Sequence, residues 1–425
     1  MTNKLLKENN ILKKDFSLSF LFFIFIFFQI YGHRYDLLDL TMILTIFLFI
    51  IIGFPKYKFP ASTEYFSLLY LLTAIIFYAC FTQIVNYQFD LYLSGRLFRM
   101  MLSMFLLPVI ILVLRPDIKF FFKIYIICTL IHCICLLLQI YDEARFLPLF
   151  GIYTGVTENN YILHGGQILN NRGFGLANSY DKAGLFICFN IIFNAYLYFN
   201  EKNNSRYILI ILFTFLCGIF TGRTFMIVGT ILTFLVLMLI IIRSKNFLHQ
   251  LFLAISIFLI YAYVIVSYYP IIKATFIYTF TGEIISSINI TAAGIYGQGF
   301  YIGSFNEILS FFKLPDSYWS FLFGGELIRE GVDSGIIKIL LSTGIIGLLL
   351  HLFFYYRLAL FYHHHSLKYQ FSLIIIPLYL LIFVYDLKDN NIFTKNVTEL
   401  LIILAIIFLI NKKNDNRNST SFTRL

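Results

Sequence analysis

The sequence predicts an all-α integral membrane protein, a polytopic bundle of about twelve spanning helices. Three observations predict it. The chain is 60% hydrophobic and only 13% charged, whereas a soluble chain carries about a quarter charged residues. Its apolar residues fall into runs of spanning length. Lys and Arg recur in every second link between those runs. With 51 Phe among 425 residues, the chain has too little polar surface to cover itself in water, and a bilayer is the solvent that suits it.

The runs lie near 16–31, 37–54, 65–85, 97–114, 120–141, 181–200, 206–220, 225–242, 247–269, 335–357, 370–387 and 397–411. The first follows Lys13 and Lys14 like a signal peptide. It lacks a small-residue cleavage site and another run follows at once, so it reads as a retained first helix. With the N-terminus inside, every inside link holds at least two positive residues, from Lys13 and Lys14 to Lys412 and Lys413. That charge bias places both termini on the cytoplasmic side. Residues 1–425 then form one polytopic domain. The stretch 412–425 reads as a polar, disordered tail.

The same assignment leaves two long outer loops, 142–180 and 270–333. Loops of that length usually carry function. In the second, the stretch around Tyr318 and Trp319 has apolar residues at helical spacing, which predicts short helices lying in the headgroup layer. No internal repeat points to a transporter built from two related halves.

The net charge of +10 does not indicate nucleic-acid binding, because the basic residues form no stripe and accompany no recognition motif. The six cysteines all lie in apolar runs with no metal-type spacing, so they read as small packing residues. No Asp-x-Asp motif, phosphate-binding loop or nucleotide fingerprint is present, and no cofactor or metal is expected. The tract His363-His364-His365 falls on the inside and reads as a polar loop.

Three arginines stand out on the outer side. Arg172 lies in NNRGFG before the sixth run, Arg223 in TGRT between two apolar runs, and Arg329 in ELIREGVDSG before the tenth. An arginine at the hydrocarbon edge is costly unless it meets a cavity, a partner or an anion. A guanidinium forks two hydrogen bonds toward a phosphate. Three of them brought together would clamp a pyrophosphate. Bland alternatives stand beside this: a solvated loop position for Arg172, snorkelling for Arg223, and an i, i+4 ion pair with Asp333 for Arg329. Lys123 is the one basic residue placed clearly inside a run. Candidates for a proton acceptor or a sugar contact are Asp333, Glu330, Glu326, Asp181 and His164, of which His164 suits proton transfer by its intrinsic pKa.

Four features resemble the bacterial O-antigen polymerase (Wzy-type) and O-antigen ligase superfamily. They are Asn171-Arg172-Gly173-Phe174-Gly175 leading into a helix, the turn Thr221-Gly222-Arg223-Thr224, the stretch from Phe323-Gly324-Gly325 through Asp333-Ser334-Gly335 to Thr343-Gly344-Ile345-Ile346-Gly347, and the topology itself. The resemblance covers most of the chain as architecture, on short motifs. It implies a metal-independent glycosyltransferase of the bacterial inner membrane, working at its periplasmic face. A growing glycan on undecaprenyl pyrophosphate would be the donor and a lipid-linked repeat unit the acceptor. Arg172, Arg223 and Arg329 would hold pyrophosphate, and Asp333 would orient Arg329 or a sugar hydroxyl. His164 and Asp181 would contact sugar or phosphate. A chain-length regulator would be the protein partner. Ligases of this superfamily use a histidine in the late loop; residues 270–333 contain none, which favours a polymerase. A ligase or a lipid-linked oligosaccharide flippase remains the alternative.

Overall fold

The computed structural model describes residues 16–32, 34–35, 38–53, 62–86, 91–141, 145–146, 149–150, 173–177, 179–201, 204–221, 223–243, 315, 317–325, 334–387 and 395–422. The described chain is helical apart from a two-residue antiparallel pairing of Arg34–Tyr35 with Leu38–Asp39. The helices are α1 Phe16–Tyr31, α2 Leu40–Leu48, α3 Thr63–Val85, α4 Leu91–Leu114, α5 Ile118–Tyr141, α6 Tyr180–Asn200, α7 Arg206–Ile219, α8 Arg223–Arg243, α9 Tyr318–Phe323, α10 Gly335–His365, α11 Lys368–Asp386 and α12 Lys395–Phe422.

Six of them, α3, α5, α6, α10, α11 and the Ser94–Leu114 part of α4, are long and apolar enough to cross a membrane. Shorter apolar helices cover Ser17–Tyr31, Leu40–Gly53, Arg206–Ile219, Val228–Ile242 and Asn396–Asn411. By length and composition these helices make the chain a multi-pass membrane protein. The run near 247–269 and the loop 270–314 lie outside the described residues, as does most of 142–172.

Several boundaries differ from the sequence reading, each for a physical reason. Helix α4 starts at Leu91 rather than near 97, so Arg96 joins Arg99 inside the helix. Lys123 is therefore not the only basic residue within a spanning element; Arg99 finds carboxylate partners, which makes its helical position tolerable. Helix α10 runs 31 residues to His365, so the histidine tract is its last turn and not a loop. His365 is held there by the Phe361 carbonyl on Nδ1 at 2.8 Å and Glu64 on Nε2 at 3.4 Å. Helix α12 continues through the polar tail to Phe422. Once a helix is nucleated, each added residue gains a backbone bond at little extra cost.

The chain divides into two compact units, residues 1–128 with 312–425 and residues 129–311, the cut falling within α5. In the first unit α3 packs on α10 and α4, and α12 packs on α4, α10 and α1. The α3–α10 pair is antiparallel. At one end Glu64 meets His365 and Arg357 Nη2 donates to Ser67 Oγ at 2.9 Å. At the other end Asn86 Nδ2 donates to the Gly324 carbonyl at 3.3 Å. In the second unit α6, α7 and α8 all pack on one another. Every residue of α6 from Ala183 to Tyr198 is buried. Such a helix, covered all round, is the centre of its unit.

Helix α10 is broken at Gly344, whose φ of 68° and ψ of −176° lie outside the helical region. The break makes room for α9, whose last carbonyls press against it. A Cβ on Gly344 would run into the Leu322 carbonyl, and one on Gly324 (φ 74°) would meet the Ser342 backbone at 2.5 Å. Gly325 N–H donates to the Ser342 carbonyl at 3.2 Å. Gly344→Ala is therefore expected to destabilise the protein by about 2 kcal/mol or more, since this region is essentially glycine-only. Gly95→Ala, with open space around its Cβ position, is the neutral control. Thermal midpoints of the two variants in detergent check the pair.

Candidate functional site

The candidate site is built from the turn 173–177 and the helices that hold it. Helix α5 presents His132 and Gln139 seven residues apart, which places them on one face two turns apart. Both are buried. Gln139 Oε1 accepts the backbone N–H of Phe174 and of Gly175, each at 3.0 Å. His132 Nδ1 accepts the N–H of Leu176, also at 3.0 Å, which requires that Nδ1 carry no proton. Gly173 N–H donates to the Phe220 carbonyl at 3.0 Å. Glycine is needed at 175: its φ is 53°, and a Cβ there would meet the His132 ring at 2.8 Å.

Four consecutive N–H groups, 173 to 176, are thus spent inside the protein. The Arg-Gly-Phe-Gly segment resembles an anion-binding backbone nest in its sequence. With those donors consumed, the N–H groups of 173 to 176 do not serve as one.

Phe220 ends α7. Thr221 follows, its hydroxyl donating to the Gly218 carbonyl at 2.7 Å, and α8 starts at Arg223. The bond from Gly173 to Phe220 therefore joins the segment after Arg172 to the segment before Arg223. Two of the three arginine motifs meet through their backbones. The side chain of Arg223 and the whole of Arg172 lie outside the described residues. Deeper in the unit, Asn190 Nδ2 donates to Thr214 Oγ1 at 3.2 Å and Asn194 Nδ2 to the Asn190 carbonyl at 2.8 Å. This polar seam ties α6 to α7 where apolar packing alone gives little specificity.

Asp181 lies half-buried in the first turn of α6. Ser179 caps that helix by accepting the Lys182 N–H at 3.2 Å. An acid at this position is favoured by the partial positive charge of a helix N-terminus, which gives Asp181 a structural reason to be there. His164, Arg329, Asp333, Glu326 and Glu330 lie outside the described residues. The two ends of the third motif do meet, in the first unit: Gly324 and Gly325 pack on Ser342–Gly344. Trp319 Nε1 donates to Asn86 Oδ1 at 3.4 Å, while Tyr318 is 93% exposed.

The sequence reading missed His132 and Gln139. The available signal was their spacing: two polar residues seven apart on an apolar helix share a face. It also missed a charged cluster in the first unit. Arg99 lies 3.4 Å from Asp39 and 3.3 Å from Glu399, and Ser103 Oγ donates to Glu399 at 2.7 Å. No protein-family model and no curated protein matches this chain.

Proposed function

We propose that this protein is a metal-independent glycosyltransferase that polymerises lipid-linked oligosaccharide repeat units at the outer face of a bacterial inner membrane, with both termini cytoplasmic. The observation that supports this best is the bond from Gly173 to Phe220. It joins the two segments that carry Arg172 and Arg223, in a turn whose own N–H groups are already used. On this reading Arg172, Arg223 and Arg329 meet the pyrophosphate of the donor, and Asp333 orients Arg329 or a sugar hydroxyl.

In the reaction, the acceptor hydroxyl attacks the anomeric carbon of the donor glycan. The bond from that carbon to the pyrophosphate oxygen breaks, and undecaprenyl pyrophosphate leaves with the electron pair. The guanidinium groups stabilise the charge that develops on it. The hydroxyl proton passes to a base, for which His164 and Asp333 are the candidates. The exposed apolar faces of the helices accommodate the polyprenyl chains.

One observation favours a second reading, a flippase or other transporter: the partly buried Arg99 cluster, since charges within spanning helices often line a path. Its position argues otherwise. Asp39 is the N-cap of α2, and Glu399 is the fifth residue of α12. Two of its three charges therefore sit at helix ends, where they tie α2 and α12 to Arg99 within α4. Cysteine mapping with water-soluble reagents separates the readings, because a path open from both faces would indicate a transporter.

The functional test is a glycan gel from the native bacterium with the gene deleted. A polymerase predicts loss of the long-chain ladder with single repeat units still transferred. A ligase predicts full-length polymer left on the carrier lipid. An intact ladder, with no second enzyme for the same glycan, sinks the proposal.

A further inference from the structure

Helix α9 carries an exposed apolar ridge on a firmly held backbone. Tyr318, Trp319 and Leu322 are 93%, 55% and 43% exposed. Leu322 follows the other two by four and three residues, so it shares a helix face with both. The rest of α9 is seated in the first unit. Gly324, just past its end, is buried against Ser342 and Thr343 of α10. Asn86 of α3 donates through Nδ2 to the Gly324 carbonyl and accepts the Trp319 indole N–H on Oδ1. The Trp319 ring also lies 4.4 Å from that of Phe323. Trp319 thus spends its polar N–H on α3 and leaves ring carbon exposed.

The level of the ridge follows from α3. The 23 residues Thr63–Val85 are apolar enough to cross a membrane and cover about 35 Å, against a hydrocarbon core of about 30 Å. Asn86 is the first residue past that span and caps it, so Trp319 is bonded to a residue at the edge of the hydrocarbon. Both helices that seat α9 expose apolar side chains nearby: Phe81, Ile84 and Val85 at the end of α3, and Ile346 and Leu349 just after the break in α10. Tyr, Trp and Leu at that level suit the boundary between headgroups and acyl chains. A glycan would need hydroxyl and amide partners. Here the Trp319 N–H and both ends of the Asn86 amide are already engaged, so the ridge offers chiefly carbon.

We infer that α9 docks on bulk phospholipid at the headgroup boundary, with Trp319 and Leu322 among the upper acyl carbons and the Tyr318 hydroxyl toward the headgroups. Trp319 is the one tryptophan of the chain, so its fluorescence reports on α9 alone in the full-length protein. The protein is placed in nanodiscs of phosphatidylcholine brominated at chosen acyl depths. Most of the Trp319 emission is expected to be lost when bromine lies near the glycerol end of the chain. Bromine near the methyl end, or iodide in the water, is expected to remove little. Leu322→Glu puts a charge on the ridge without touching its seat on Asn86. This variant is expected to lose bromine quenching and gain iodide quenching.

Wild-type emission quenched by iodide and untouched by bromine would overturn the inference, turning the ridge to water or to a glycan. Strongest quenching from bromine near the methyl end would overturn it as well, because the ridge would then lie deep in the bilayer. Relief of quenching by added unbrominated undecaprenyl phosphate would put the carrier lipid in place of bulk phospholipid, which also overturns it. The glycan gel is independent of all three outcomes: an intact ladder defeats the polymerase reading and leaves the docking of α9 as the fluorescence finds it.

Discussion

On the proposed polymerase reading, Arg223→Lys is expected to lose polymer synthesis as fully as Arg223→Ala, about a hundredfold or more for each. The reason is geometric. Arg223 is the first residue of α8, and the backbone just before it is tied to Gly173 through Phe220. A guanidinium reaches two phosphoryl oxygens at once through a planar fork, whereas an ammonium offers one point charge. The measurement is in vitro extension of lipid-linked repeats by purified variants at matched membrane abundance. A lysine variant with near wild-type rate would show that charge alone suffices and that no fork is used. A snorkelling role predicts that outcome, because either cation reaches the headgroups equally well.

Arg99→Met is expected to cost about 3–5 kcal/mol of stability, the typical penalty for removing one partner of a buried ion pair. Arg99 lies between Asp39 and Glu399, with side chains 17%, 14% and 4% exposed respectively. Asp39 also caps α2, accepting the N–H of Thr41 at 3.0 Å and of Met42 at 3.2 Å. Loss of the cation would leave two carboxylates near each other, one of them almost wholly buried. The double variant Arg99→Met with Glu399→Gln is expected to recover most of the loss, because the amide still accepts from Ser103 and carries no charge. Thermal midpoints in detergent decide it. Equal midpoints for wild type and Arg99→Met would mean that the cluster contributes nothing net, as many exposed pairs do.

Much of the fold was legible because the bilayer imposes a local rule. A spanning helix must satisfy its own backbone within the segment, so its position can be read from a single apolar run. The six long helices accordingly lie on runs read from sequence. The ends were less legible. Helix α4 begins six residues before the apolar run, since the charge of Arg96 and the polar residues before it make this stretch read as loop when apolar length alone is counted. The C-terminal extension of α12 was misread for the opposite reason: polar composition says nothing against continuing a helix that already exists.

The site was legible only in part. The motifs around Arg172 and Arg223 stood out by residue type, and so did the glycines at 324, 325 and 344. Their purpose did not. In sequence Gly173 and Gly175 are only part of the motif around Arg172; in the structure Gly175 is there because the His132 ring occupies the space of a side chain. The His132 and Gln139 pair, at helical spacing, announced a shared face but not what it faces.

By itself, then, the sequence determined the helical class and most helix positions, because both follow from local apolar length and the cost of unsatisfied backbone in hydrocarbon. The tertiary structure decided which polar groups meet: Asp39 with Arg99 and Glu399, Gln139 with the turn at 174–175, Gly173 with Phe220. Periodicity tells a helix which face to turn inward, but a hydrogen bond depends on position and direction to within a fraction of an ångström. Only the packed arrangement of segments far apart in the chain supplies that.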